Sequence, residues 1–126
     1  MVGIVIVSHS EKLAEGVLDA TKIMADGCPI AAAGGDGFGG YGTSYDKIKN
    51  AIESVYSEDG VVVLVDMGSA VMTAEMVIEE LGFGNVSLID SPIAEGAIAA
   101  SLSSFCGDDL EAVKQAALLA KNDPKW

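Results

Sequence analysis

Two runs of branched apolar residues constrain this chain more than anything else in it. Gly3 opens Ile4-Val5-Ile6-Val7, and Val61-Val62-Val63-Leu64-Val65 follows some fifty residues later; neither run contains a polar side chain. Successive side chains of a strand point to opposite faces, so a run with no polar member has no face to give to water. Such a segment reads as a strand buried on both sides, the mark of a parallel sheet covered by helices. Val61–Val65 takes a central place in that sheet. The first run ends in Ser8-His9-Ser10 and the second in Asp66-Met67-Gly68-Ser69. Open α/β sheets place their chemistry at the carboxyl ends of their strands. His9, the only histidine, therefore stands at a strand end where a helix begins, and the free N–H groups of a helix start favour an anion.

The segments between the runs alternate helix and strand. Ser8 and Glu11 have the spacing of a capping box, and Ser10 is an equally good cap. Leu13, Val17, Ala20 and Met24 recur at helical spacing, which predicts that they face the sheet. Asp26-Gly27 ends that helix and Pro29 follows. Ile30 to Ala33 is a short strand of small residues. It leads into the Gly34–Gly42 loop, six glycines in nine positions. Thr43 or Ser44 caps a helix whose buried stripe is Ile48, Ile52 and Val55, and Asp59-Gly60 turns the chain into the central strand. Ser69 is expected to cap the next helix, with Val71, Ala74, Ile78 and Leu81 inward and Met72 and Met76 on another side. Val86–Ile89 is a fourth strand. Ile93–Phe105 is an alanine-rich helix with little bulk, suited to close packing. Asp108 with Glu111 starts a last helix through Leu110, Val113 and Ala117, and residues 122–126 form a tail. The sum is a single domain over residues 1–126. It is expected to be a three-layer α/β/α arrangement around a mainly parallel four-stranded sheet.

Composition narrows the function. The net charge is −12 and there is no arginine among 126 residues. A nucleic-acid backbone needs a basic face, so nucleic acid is excluded as a partner. A self-sufficient kinase clamps nucleotide phosphates with Lys, Arg or metal, and seven scattered lysines do not supply that clamp. No apolar run has the length of a membrane span, and the N-terminus lacks the basic region of a signal peptide. Cys28 and Cys106 have no CxxC spacing and are expected to be buried thiols in a reducing cytosol.

At one edge of the sheet the loops are expected to gather His9, Ser10, the glycine loop, Asp66, Gly68, Ser69 and Ser91. A carboxylate accepting from Nδ1–H of an imidazole fixes the tautomer and leaves Nε2 as the nucleophile. Asp66 is the residue chosen for that role, with Asp36 and Asp90 as alternatives. The glycine loop lacks the Gly-Lys-Ser/Thr of a Walker loop and does not fit the dinucleotide fingerprint. It is either a mobile stretch or a flexible rim that lets a partner's backbone come close. No Gly-x-Ser-x-Gly elbow supports a hydrolase, and one histidine with scattered carboxylates gives no metal-ligand spacing. A receiver domain needs an acidic pair after its first strand, and a flavodoxin a Ser/Thr-rich phosphate loop there; this chain has neither. A nucleophilic imidazole over a helix N-terminus, able to carry a phosphoryl group, is what remains. The contrasting reading is an acidic docking module in which His9 is dispensable.

Four ordered motifs then resemble a known family. They are Gly3-Ile4-Val5-Ile6-Val7-Ser8-His9-Ser10; Ala33-Gly34-Gly35 with Gly42-Thr43-Ser44; Val65-Asp66-Met67-Gly68-Ser69-Ala70; and Pro92-Ile93-Ala94-Glu95-Gly96-Ala97. Together they resemble the DhaM family, the phosphotransferase subunits of phosphoenolpyruvate-dependent dihydroxyacetone kinases, built on the mannose-type IIA domain. The resemblance implies that His9 accepts a phosphoryl group from the phosphocarrier HPr and hands it to ADP held on the DhaL subunit. The ATP formed there phosphorylates dihydroxyacetone on DhaK. It further implies that Asp66 orients the imidazole, that Ser10, Gly34, Gly35, Gly68 and Ser69 meet the phosphoryl group or a partner, and that no metal or cofactor binds this chain directly. A cytoplasmic homodimer that relies on a separate HPr is the implied form. The alternative is a mannose-type IIA component of a sugar permease. Those show Thr-His-Gly at the first corner and Gly-Gly-Ser-Pro after the aspartate, where this chain has Ser8-His9-Ser10 and Met67-Gly68-Ser69-Ala70.

Overall fold

The computed structural model describes residues 1–126. In chain order the elements are β1 (Gly3–Ser8), α1 (Glu11–Met24), β2 (Ile30–Gly34), α2 (Tyr45–Val55), β3 (Val61–Val65), α3 (Gly68–Leu81), β4 (Val86–Ile89), α4 (Ile93–Phe105) and α5 (Leu110–Leu119). All strands are parallel, in the order β2-β1-β3-β4. The two apolar runs are the two central strands, and every residue of Ile4–Val7 and Val61–Leu64 is buried. Period-2 alternation divides them. Ile4, Ile6, Val62 and Leu64 join a core with Ala14, Val17, Ala97 and Ala100 under α1, α4 and α5. Val5, Val7, Val61 and Val63 join a core with Ile48, Ile52, Ala70 and Val77 under α2 and α3. The result is three layers, helices on both faces of one sheet. Each fully buried Val or Ile contributes about 1.5–3 kcal/mol.

From β1 the chain moves to β2 on one side, then crosses to β3 on the other. The loops after β1 and β3 therefore diverge, α1 to one face and α3 to the opposite one. In open α/β sheets such a reversal marks the place, at the carboxyl ends of the two central strands, where ligands bind.

Several local expectations are corrected by packing. The buried stripe of α1 is Ala14, Val17 and Thr21, while Leu13 and Met24 are exposed. The cause is how close α1 lies to β2: a methyl built on Gly34 would sit 2.6 Å from Glu11 Cα and 2.9 Å from Ala14 Cβ. Only small side chains fit that contact, so the bulk of Leu13 turns outward. Ser10, not Ser8, caps α1, and Ser44 caps α2 by accepting from the Lys47 amide. Ser69 does not cap α3. Met67 holds the extended cap position with no side-chain bond, and Ser69 is already inside the helix. Inward on α3 are Ala70, Ala74 and Val77, with Ile78 and Leu81 partly buried beside them; Met72 and Met76, on another side, are exposed. Asp109 caps α5, whereas Asp108 accepts from Ser103. The small residues of α4 are spent on this chain's own core, with Gly96, Ala97, Ala100, Ser101 and Ser104 buried. Both cysteines are free, and Cys106 is exposed rather than buried, because it caps the end of α4 next to the Gly107 turn.

The first glycine of β1 is required by packing. A methyl on Gly3 would lie 2.6 Å from the Val55 carbonyl oxygen and 2.8 Å from a Val55 methyl. Gly3→Ala is expected to lower stability by about 1–3 kcal/mol, the usual cost of overpacking. A urea unfolding curve with the wild-type slope and an unmoved midpoint would contradict this.

Candidate functional site

The register Val7↔Val65 sets the ends of β1 and β3 level. One more rung follows beyond β3, as the Asp66 amide donates to the Val7 carbonyl at 3.2 Å. Asp66 and His9 thus leave neighbouring strands at the same height. Nδ1 of His9 lies 2.5 Å from Oδ2 of Asp66. The Asp66 side chain is only 6% exposed, whereas 38% of the His9 side chain is open. Because a carboxylate only accepts, this contact places the proton of a neutral ring on Nδ1 and leaves the lone pair on Nε2.

Two further donors hold the carboxylate. Ser8 Oγ donates to Asp66 Oδ2 at 2.7 Å, and the His9 amide reaches Oδ2 at 3.3 Å. Ser8 is fully buried and also accepts from the Ser10 amide at 3.0 Å. It is thus part of the site, a role that sequence reasoning missed. The capping-box spacing pointed to Ser8 as a helix cap, and nothing in the sequence distinguished that from a hydroxyl turned toward Asp66.

The other expected residues divide. Ser10 lies in the corner and spends its hydroxyl on the Leu13 amide at 3.3 Å, starting α1 beside the imidazole. Gly68 and Ser69 form the exposed first turn of α3, immediately after Asp66. Without a side-chain cap, the Gly68 and Ser69 amides remain free donors, while the Ala70 amide donates to the Met67 carbonyl at 3.1 Å. Gly34 and Gly35 are buried. The Gly34 carbonyl accepts from Lys47 Nζ at 2.5 Å, and the Gly35 amide donates to the Ser8 carbonyl at 3.1 Å. They form the wall behind the corner rather than its surface. Ser91, expected at the site, is not brought there; it is buried and donates to the Ala117 carbonyl at 2.6 Å, tying β4's end to α5. Asp90 pairs with Lys121 at 3.0 Å. Asp36 accepts from the Phe38 and Gly40 amides at 2.7 and 3.0 Å, so it organises the glycine loop and does not touch the imidazole. No group of His, Cys, Asp and Glu has the arrangement to hold a metal ion.

A half-exposed imidazole steered by a buried carboxylate at a topological switch point is the equipment of a group-transfer site. The family model EIIA-man, described as the fructose IIA component of the phosphotransferase system, matches residues 3–114. The chain belongs to that family and, within it, to the DhaM-type subunits. It is 42% identical over 120 residues to the phosphoryl donor subunit DhaM of the PEP-dependent dihydroxyacetone kinase of Escherichia coli strain K12. That match covers 90% of this chain and 25% of the relative, so the chain spans a quarter of that protein's length. It is 44% identical over 97 residues to a DhaM phosphoryl donor subunit of Listeria innocua serovar 6a, covering 77% of each. Among solved structures, the crystal structure of the unknown-function protein EF1359 superposes with a TM-score of 0.85 at 25% identity, covering 100% of this chain and 99% of that one.

The Phe38 and Gly40 amides also hold the Asp36 carboxyl below its usual range, Phe38 contributing most. Because the folded loop favours the ionised form, its contribution to loop order is complete above the ordinary carboxylate pKa. It is lost as pH falls through the lowered one. Amide-exchange protection at Phe38 and Gly40 is therefore expected to persist through mildly acidic pH, and to be absent at all pH in Asp36→Ala. Equal protection in the variant would contradict this.

Proposed function

We propose that this chain is a phosphohistidine carrier of a phosphoenolpyruvate-dependent dihydroxyacetone kinase. Nε2 of His9 accepts a phosphoryl group from HPr and passes it to ADP held on a DhaL-type subunit. The ATP so formed phosphorylates dihydroxyacetone on DhaK. The observation that carries this reading is the 2.5 Å contact between Nδ1 of His9 and the buried Asp66 carboxylate. The names of the DhaM relatives supply the donor role and the substrate.

The chemistry follows from which nitrogen is free. The Nε2 lone pair forms a bond to phosphorus as the bond between phosphorus and the donor breaks, the pair leaving with the donor. No proton has to move at His9, since Nδ1 keeps its proton and donates it in a hydrogen bond to Asp66, whose charge offsets the cationic ring of the adduct. In the second step a terminal phosphate oxygen of ADP attacks phosphorus and Nε2 leaves with the bonding pair. Phosphoryl transfer asks mainly for alignment and charge stabilisation. The free first-turn amides of α3, at Gly68 and Ser69, and the start of α1 at Ser10 are suited to the phosphoryl oxygens. With a net charge of −12 and no arginine, the chain has no nucleotide clamp of its own, which supports placing ADP on the partner. A cytoplasmic homodimer acting on a separate HPr belongs to the same reading.

A IIA component feeding a sugar permease is the second reading, favoured only by the family model's description as a fructose IIA component. Both readings predict labelling by phosphoenolpyruvate, enzyme I and HPr. The intact mass is expected to rise by one acid-labile, base-stable phosphoryl group, and His9→Ala is expected to abolish the rise. A rise that survives His9→Ala would sink either reading. Adding DhaL–ADP to the labelled protein separates the two, because only the dihydroxyacetone kinase reading yields ATP. Asp66→Ala is expected to slow labelling on the order of 100-fold or more, as when an imidazole loses its orienting partner. A stopped-flow rate equal to wild type would remove Asp66 from the mechanism.

A further inference from the structure

The loop of residues 34–42 is tethered at several points. The Gly35 amide donates to the Ser8 carbonyl at 3.1 Å and the Gly42 amide to the His9 carbonyl at 2.9 Å, so both ends are fastened to the corner that carries the imidazole. Between them the Asp36 side chain holds the Phe38 and Gly40 amides, and the Asp36 amide donates to the Gly40 carbonyl at 3.1 Å. The backbone on both sides of Tyr41 is therefore fixed, although Tyr41 as a residue is 81% exposed. Its ring centroid lies 6.0 Å from that of His9, with the planes inclined by 40°. This is within the range of interacting aromatic pairs, and at the reach of a cation over a ring face. The Tyr41 hydroxyl makes no hydrogen bond within the chain. A large aromatic held beside the one histidine, without core contacts or a hydroxyl partner, has no evident folding role.

We propose that Tyr41 is a positioning residue that braces the imidazole of His9 and screens its phosphoryl adduct from water. The inference rests on the phosphohistidine reading above. With Nδ1 held by Asp66, the ring can still rock about that bond, and Tyr41 limits the swing on its side. After phosphorylation the ring is cationic, and an aromatic ring with its centroid 6.0 Å away favours that state. The competing loss is hydrolysis: a water oxygen bonds to phosphorus, the phosphorus–Nε2 bond breaks with its pair returning to nitrogen, and inorganic phosphate leaves. An aromatic neighbour occupies part of the space from which that water approaches.

The test compares wild type, Tyr41→Phe and Tyr41→Ala, each phosphorylated with phosphoenolpyruvate, enzyme I and HPr and then freed of donor. Intact mass followed over time gives the half-life of the adduct. Tyr41→Ala is expected to lose its phosphoryl group about fivefold faster. Its melting temperature should be unchanged, as for other exposed substitutions. Tyr41→Phe is expected to match wild type, because the ring and not the hydroxyl acts. In unphosphorylated protein, the carbon-bound proton resonances of the His9 ring are expected to move in Tyr41→Ala and stay in Tyr41→Phe. Equal half-lives for wild type and Tyr41→Ala overturn the proposal while leaving the carrier reading intact. A phenylalanine variant that behaves like alanine overturns it too. A wild type that takes no phosphoryl group overturns both.

Discussion

Everything in this molecule rests on how β1 and β3 are aligned. The pairing of Val7 with Val65 brings His9 and Asp66 to the same height, and the Asp66 amide adds one more rung on the Val7 carbonyl. The alignment is fixed by the core rather than by the site. Ile4, Ile6, Val62 and Leu64 pack under one helical layer, and Val5, Val7, Val61 and Val63 under the other. A slip of one residue would send each side chain to the wrong face and move the carboxylate about 3.3 Å along the strand. The chemistry therefore inherits its accuracy from two stretches of apolar residues that never touch the imidazole.

The reversal of strand order makes use of that alignment. Because α1 and α3 leave toward opposite faces, the ends of β1 and β3 are left uncovered, and the imidazole is half-open while its carboxylate is not. Ser8 completes the arrangement. It is the last residue of β1, it is fully buried, and its hydroxyl joins the carboxylate to the amide that begins the turn into α1. One oxygen of Asp66 thus organises the strand end, the ring and, through Ser8, the start of the helix.

Much of this was legible in the sequence because the signals were strong and local. Two unbroken apolar runs specify buried parallel strands, and residues just past them specify the site, so His9 and Asp66 could be named before their distance was known. Capping at Ser44 and the stripe on α2 followed the same way. What could not be read depended on how closely elements approach. The face of α1 was set by backbone contact at Gly34, which no periodicity reports. Ser91 lies past the end of its strand as expected, yet its hydroxyl turns to α5 because that helix's carbonyl at Ala117 is there to receive it. Ser8 has the right spacing for a cap, and only the position of Asp66 shows that its hydroxyl is already committed. The glycine loop was expected to be flexible, whether as a mobile stretch or as a rim for a partner, and its glycines gave no sign of the tether that holds it. Asp36 supplies that tether, by tying two of the loop's amides to one carboxylate.

The fastening of the loop of residues 34–42 to the corner at both ends has a kinetic meaning. The rim cannot swing aside without pulling on the carbonyls of Ser8 and His9, so visitors to the imidazole meet one fixed surface. On the carrier reading a single nitrogen serves donor and acceptor alike, and each must depart before the other can arrive. Throughput is then capped by how fast each complex falls apart, and selection for flux favours brief encounters over tight grip on either side.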